Sequence, residues 1–256
     1  MGGPLPADLR WRWAAASRIG TSHQRLGTRK QDAYGVRLSE HALCAVVSDG
    51  AGSASHGGEG ASLVCRHLLL AFKTWLAEHA QLPEKETVQC WMDDLRDRLT
   101  TVAVKRELTR RQFAATLVML VVFDDQVMTL QVGDSALVGR RSDGSWEALC
   151  WPENGEFAST TYFVTDDPEA RLHVTQRPLE HNAFALFSDG LEAIALDHST
   201  QQPFMPFFDP MFRAVDEASG TGRLGSLSGA LGQYLDSPKL CERTYDDKTL
   251  ILISGR

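Results

Sequence analysis

Residues 115–132 read ATLVMLVVFDDQVMTLQV. Two apolar runs, LVMLVVF and VMTLQV, flank Asp124-Asp125-Gln126. That link is too short for a helical crossover, which needs about a dozen residues or more, so the connection is a hairpin and its strands are antiparallel. Working outward, further β-like runs bounded by turn formers occur at 33–38, 42–48, 136–141, 146–150, 183–187 and 249–254, beside the hairpin's own 115–123 and 127–132. Between the second and third of these in chain order lie two segments with helical apolar spacing. The first, 60–80, carries Leu63, Leu68, Leu69, Phe72 and Leu76; the second, 84–108, carries Val88, Trp91, Met92, Leu95, Leu99 and Val102. A second helical pair is expected at 206–218 and 222–235, the latter weakened by Gly225, Gly229 and Gly232. Runs of strands with helices set between them predict an α+β fold rather than alternating β-α units. No linker or repeat divides the chain, so one domain is expected over 1–256, its core at about 15–254, with 143–167 a surface excursion.

The composition is that of a globular chain, 43% hydrophobic and 23% charged in 256 residues. A formal net charge of -7 argues against a general nucleic-acid binder, which needs a basic face to displace counterions. Cys44, Cys65, Cys90, Cys150 and Cys241 are widely spaced and form no zinc pattern, so reduced thiols are expected. The first twenty residues lack a signal-like apolar run and no stretch approaches a ~20-residue membrane span, which leads us to expect a cytoplasmic protein without a membrane partner.

Five short segments set an acid beside glycine or at a strand-loop junction. They are Gln31-Asp32-Ala33, Val47-Ser48-Asp49-Gly50, Val132-Gly133-Asp134-Ser135, Phe187-Ser188-Asp189-Gly190-Leu191 and Tyr245-Asp246-Asp247-Lys248-Thr249. Any one alone reads as an ordinary turn. Together they would project carboxylates from sheet ends into one mouth, where hard oxygen ligands gather Mg²⁺ or Mn²⁺.

In chain order the sequence carries GTSHQRLGTRKQDA, VVSDGAGSASHGGEGAS, FAATL, VGDSA, LFSDGL and YDDKTLILI. Over about 20–254 this series resembles the protein phosphatase 2C family, the metal-dependent Ser/Thr phosphatases, and is most similar to a bacterial branch with a segment like Glu156 to Phe163 between the last two aspartate-glycine motifs. The resemblance implies a β-sandwich of two antiparallel sheets flanked by helix pairs, α-β-β-α. It implies that Asp49 bridges two Mn²⁺ or Mg²⁺ ions with the Gly50 carbonyl as a further ligand, that Asp189 and Asp246 complete one site, and that Asp32 holds the other partly through water. Asp134 with Asp189 would hold a third ion. The implied reaction is hydrolysis of phosphoserine and phosphothreonine by metal-activated water, with no covalent nucleophile and no Cys-x5-Arg phosphatase loop. The implied partners are a phosphorylated protein and a companion Ser/Thr kinase.

Two positions depart from the family pattern. Many members have His after the central Asp-Gly as proton donor to the leaving alcohol, whereas this chain has Ala51; His56 is the candidate replacement. The family's phosphate-gripping arginine stands five residues before the first aspartate, which here is Gly27, leaving Arg25, Arg29 and Lys30 as candidates with Arg favoured for its fork. These departures keep open a pseudophosphatase that binds phosphoproteins without hydrolysis, and the two-metal chemistry alone also fits a phosphohydrolase of small metabolites. Trp11 with Trp13, and Phe204, Phe207, Phe208 and Phe212, read as core. Thr116, Ser135 and Thr249 read as supports for the acid-bearing turns.

Overall fold

A computed structural model describes residues 10–154 and 161–255. The chain opens with strand β1 (Trp11–Arg18) and a short helix α1 (Thr21–Leu26). A hairpin of β2 (Ala33–Leu38) and β3 (Ala42–Ser48) leads into helices α2 (Gly57–Glu78) and α3 (Lys85–Val104). Four strands follow: β4 (Leu117–Phe123), β5 (Gln126–Val132), β6 (Ala136–Arg141) and β7 (Trp146–Cys150). Next come β8 (His173–Pro178), β9 (His181–Phe187), a single-turn helix α4 (Glu192–Ala195) and a minimal hairpin of β10 (Leu196–Asp197) and β11 (Gln202–Pro203). The chain ends with helix α5 (Met205–Glu217), β12 (Gly222–Arg223), helices α6 (Gly225–Leu235) and α7 (Pro238–Cys241), and β13 (Lys248–Gly255).

The strands form a six-stranded sheet in the order β12-β1-β13-β9-β6-β7 and a five-stranded sheet in the order β2-β3-β4-β5-β8. Only β12 runs parallel to its neighbour, β1. In the hairpin, Phe123 pairs with Gln126, so Gln126 opens β5 and the turn is Asp124-Asp125, with Asp124 at φ 50°. Asp tolerates the left-handed region better than β-branched residues do, which suits it to this place.

Side-chain alternation sorts each strand between two interiors. On β3, Ala42, Cys44 and Val46 face α2 and α3, beside Val64, Leu68, Phe72, Leu95 and Leu99. Leu43, Ala45 and Val47 face the other way, against Phe184, Leu186, Ile251 and Ile253 of the second sheet. That sheet's outer face, including Ala185, Phe187 and Leu252, is covered by α5 and α6 through Phe208, Phe212, Val215, Leu231 and Leu235. The result is four layers, α-β-β-α, as expected. It also explains why LVMLVVF shows no polar alternation: both faces of β4 are buried, and each fully buried Leu, Val or Phe contributes roughly 1.5–3 kcal/mol.

Trp11, Phe207, Phe208 and Phe212 are core as expected, while Phe204 remains 44% exposed. Gly232 of α6 lies where a Cβ would sit 2.0 Å from the Arg18 guanidinium, so the glycine that weakens the helix lets Arg18 cross it to reach Asp236 at 2.7 Å. All five cysteines are free thiols. A Cys-x5-Arg spacing does occur, at Cys90 and Arg96, contrary to expectation. Both residues lie inside α3, with Cys90 exposed and Arg96 turned onto the carbonyls of Asp166 and Pro168, so they build no anion-binding loop.

Candidate metal centre and cleft

Pairing registers bring the relevant strand ends to one edge of the sandwich. Ser48 at the end of β3 pairs with Ala33 at the start of β2, and Val132 at the end of β5 pairs with Leu117 at the start of β4. In the other sheet Phe187, ending β9, pairs with Leu250 of β13 and Ala136 of β6. The residues just beyond these ends are Asp32, Asp49, Asp134, Asp189 and Asp246. Asp49, Gly50, Asp134, Asp189 and Asp246 line a cleft of about 590 Å³, and Asp32 is buried behind it.

Gly50 and Gly190, which follow Asp49 and Asp189, are not in the left-handed region; each allows close backbone approach. A Cβ at Gly50 would lie 2.2 Å from the carbonyl carbon of Gly57 at the start of α2, and one at Gly190 would lie 1.9 Å from the carbonyl oxygen of Asp247. The Asp-Gly pairs are therefore packing contacts that press one acid-bearing turn against α2 and the other against the start of β13.

Hydroxyls fix the acids from behind. The Asp49 amide donates to Thr116 Oγ1 at 3.0 Å, and Thr116 Oγ1 lies 3.1 Å from Ser135 Oγ. Ser188 Oγ and Thr249 Oγ1 donate to Asp32 Oδ2 at 2.7 and 2.6 Å, tying the first sheet's acid to the second sheet. Asp247 is buried and accepts from the amides of Gly20 at 2.7 Å and Gln31 at 2.5 Å, and from His23 Nδ1 at 3.1 Å. Ligand atoms of His23, Asp246 and Asp247 lie within 4.8 Å of one another, but with these donors on its oxygens Asp247 is a brace between the loop before β2 and the start of β13. Asp246 is exposed to the cleft, its Oδ1 accepting from the Asp247 amide at 2.7 Å.

The electrostatics are those of crowded anions. Burial pushes the Asp32 carboxyl up to about 6, with the Asp247 charge adding to it against the two hydroxyls that hold it down. Burial pushes Asp189 up to about 7, reinforced by the charges of Asp134, Asp246 and Asp32. Asp49 is raised well above the carboxylate range, first by burial and then by Asp32 and Asp189. Asp134 is raised by burial, with Asp246 contributing. Asp49 and Asp189 are like charges that repel each other, so a proton on one of them is favoured while no cation is bound. Oδ1 of Asp32, Asp134 and Asp189 are buried without a hydrogen-bond partner among the described residues. Unsatisfied, acceptor-only oxygens in a group of mutually repelling acids fit hard divalent cations, and these residues could hold Mg²⁺ or Mn²⁺.

The structure does not bring the other candidates into the cleft. Arg25 is exposed on α1 and its Nε donates back to Thr21 O at 3.2 Å; Arg29 is exposed beyond the left-handed Gly27 that ends the helix. Lys30 turns to Ser17 Oγ at 2.7 Å and to the Asp32 carbonyl. His56 lies against Phe113, ring centroids 5.1 Å apart, with Nδ1 2.9 Å from Ser55 Oγ. Ala51, at the position of the absent histidine, packs with Ala54, Ala114 and Phe163 in a small apolar floor.

Sequence reasoning missed several residues of the cleft wall: His23, Gln31, Arg111, Asn154, Thr161, Phe163 and Glu192. His23 stood within the quoted first motif and Arg111 just ahead of FAATL, but neither spacing nor periodicity marks a side chain that reaches the cleft. The segment from Glu156 to Phe163 lies partly outside the described residues.

A family model described as protein phosphatase 2C matches residues 19–235, most of the chain. Serine/threonine-protein phosphatase 3 of Escherichia coli strain K12 is 34% identical over 251 residues, spanning 95% of this chain and 98% of that protein. Among solved structures, PppA of Pseudomonas aeruginosa, described as a key regulatory component of T6SS, gives a TM-score of 0.66 at 20% identity, covering 96% of this chain and 98% of its own. The catalytic domain of the serine threonine protein phosphatase PstP, solved with two manganese ions, gives 0.61 at 16% identity, covering 96% and 98%. At these identities the two structures establish a shared fold.

Proposed function

Because the chain belongs to the protein phosphatase 2C family, we propose that it hydrolyses phosphoserine and phosphothreonine in proteins at a binuclear Mn²⁺ or Mg²⁺ centre in the cleft. The observation that carries this reading is the set of cleft acids with raised pKa values and three buried oxygens that have no partner among the described residues, a set that divalent cations would satisfy. Asp49 with the Gly50 carbonyl, Asp189 and Asp246, and Asp32 from behind would hold the two ions; Asp134 with Asp189 would hold a third. When bound, the ions supply charge neutralisation for the phosphoryl oxygens and activation of the attacking water.

The protein's own groups do the rest. Thr116 holds the Asp49 turn through its amide, and Ser188 and Thr249 hold the Asp32 carboxylate, so the ligand positions are fixed before charge develops on the phosphoryl oxygens. Ala51 and Phe163 give that side of the cleft an apolar surface, backed by Ala54 and Ala114. The natural substrate is a phosphorylated protein, with a companion Ser/Thr kinase or its target as the expected source.

Phosphate release from a phosphopeptide, measured with Mn²⁺ and with chelator across several pH values, tests the reading. Turnover should require the metal. Asp49→Asn and Asp189→Asn should each lower it at least ~100-fold while the circular dichroism spectrum is retained. Calorimetry showing no Mn²⁺ binding would instead favour a phosphoprotein-binding module, and metal-dependent turnover of small phosphate esters alone a metabolite phosphohydrolase.

A further inference from the structure

The cleft is lined by Asp49, Asp134, Asp189, Glu192 and Asp246, and among its described lining residues Arg111 is the one permanently charged cation. Arg111 sits on a single 3₁₀ turn, Arg110–Phe113, braced by reciprocal bonds between Thr109 and Gln112. Its neighbour Arg110 is committed to Asp167. Among the described residues Arg111 reaches only Asp166 Oδ1, at 3.7 Å, and its guanidinium lies 6.0 Å from the Phe163 ring centroid. Asp166 is occupied elsewhere, its Oδ2 accepting from the Phe163 amide at 2.8 Å. With 70% of its side chain exposed, Arg111 gives up little by leaving that loose pair. It is thus a pre-positioned guanidinium at the rim of an anionic cleft, next to an aromatic wall and without a strong partner among the described residues.

We propose that Arg111 grips the phosphoryl group of the substrate, a task for which Arg25 and Arg29, on and beyond α1, are misplaced because neither lines the cleft. The proposal rests on the phosphatase reading of the same cleft. The guanidinium fork donates two N–H groups to two phosphoryl oxygens, a charge-assisted geometry that lysine matches only as a point charge. Arg111 enters from the turn before β4, opposite in sequence to the family's position near the first aspartate, which Gly27 leaves without a side chain.

The test is titration of inorganic phosphate into the Mn²⁺-loaded protein by calorimetry, comparing wild type with Arg111→Ala, Arg111→Lys, Arg25→Ala and Arg29→Ala. Loss of charge-assisted bonds should weaken phosphate binding roughly ten- to a hundred-fold in Arg111→Ala. Arg111→Lys should recover part of the loss, and the Arg25 and Arg29 variants should stay within about twofold of wild type. Mn²⁺ affinity and melting temperature should be unchanged in Arg111→Ala, and its KM for a phosphopeptide should rise more than kcat falls. Phosphate affinity within about twofold of wild type in Arg111→Ala overturns the proposal, as does a matching loss of Mn²⁺ affinity, which would make the role structural. If wild type binds phosphate but hydrolyses no phosphopeptide, the phosphatase reading fails while the phosphate titration still decides the role of Arg111.

Discussion

Removing the Asp247 carboxylate would strip acceptors from the amides of Gly20 and Gln31 and free the His23 ring that lines the cleft. Each unsatisfied buried donor costs about 1–3 kcal/mol, so Asp247→Ala should destabilise the protein by about 3 kcal/mol or more, read as a fall in denaturation midpoint at constant m-value. Asp247→Asn keeps one acceptor oxygen and should cost less. A loss below about 0.5 kcal/mol in the alanine variant would show that the brace is dispensable. Gly190 makes the complementary point. Its neighbour is a backbone oxygen that cannot rotate away, so Gly190→Ala must displace Asp247 or Asp189 itself, and should reduce Mn²⁺ affinity as well as stability. In the sequence, Asp246-Asp247 reads as two similar acids. Only burial separates them, one exposed to the cleft and the other holding the loop that shapes it.

At the scale of elements, the strands were legible from short apolar runs bounded by turn formers, most strongly where both faces are buried, as in β3 and β4. Residues 42–48, 136–141 and 146–150 match β3, β6 and β7 in full, and the four expected helices appear with ends shifted by a few residues. The elements that escaped have little core to advertise. β8, HVTQRP, is a polar edge strand, and α1 buries no residue. β1, WRWAAASR, hides its strand character in alanines that suit a helix; only the spacing of Trp11 and Trp13 signals it. The five aspartates were legible as strand-end acids, whereas the side chains reaching the cleft from connections were not, because a turn such as Arg110–Phe113 acquires its direction from tertiary packing. The wall after residue 160 depends on one such contact. Arg96 of α3 donates to the carbonyls of Asp166 at 2.6 Å and Pro168 at 2.9 Å. Arg96→Ala should speed amide hydrogen exchange across 161–170 and raise KM for a phosphopeptide, with kcat changed less. Unaltered exchange in that stretch would remove the anchoring role.

For the molecule as a whole, the clustered acids couple stability to pH and to metal. An unfolded Asp titrates near ~3.9, while burial places Asp32 at about 6 and Asp189 at about 7 in the folded chain, with Asp49 raised further in the same direction. The folded state therefore binds more protons than the unfolded one between these values, and stability must fall as pH rises through the folded pKa values. At the acid end the sign reverses. Asp216, despite partial burial, is held low by Arg140 and Ser254, and Glu147, against its own partial burial, by Arg141 and His181, so their contribution is lost below the carboxylate range. With chelator present, stability should peak at mildly acid pH and decline by on the order of a few kcal/mol toward pH ~8. Divalent cations bind the deprotonated carboxylates, so Mn²⁺ should raise the melting temperature far more at pH ~8 than at pH ~5.5 and move the optimum upward. Melting curves over that pH range, with and without Mn²⁺, decide the matter. A chelated protein whose stability is level or rising between the two pH values would mean that the acids are not mutually destabilising, and the electrostatic case for a cation centre at these strand ends would fall with it.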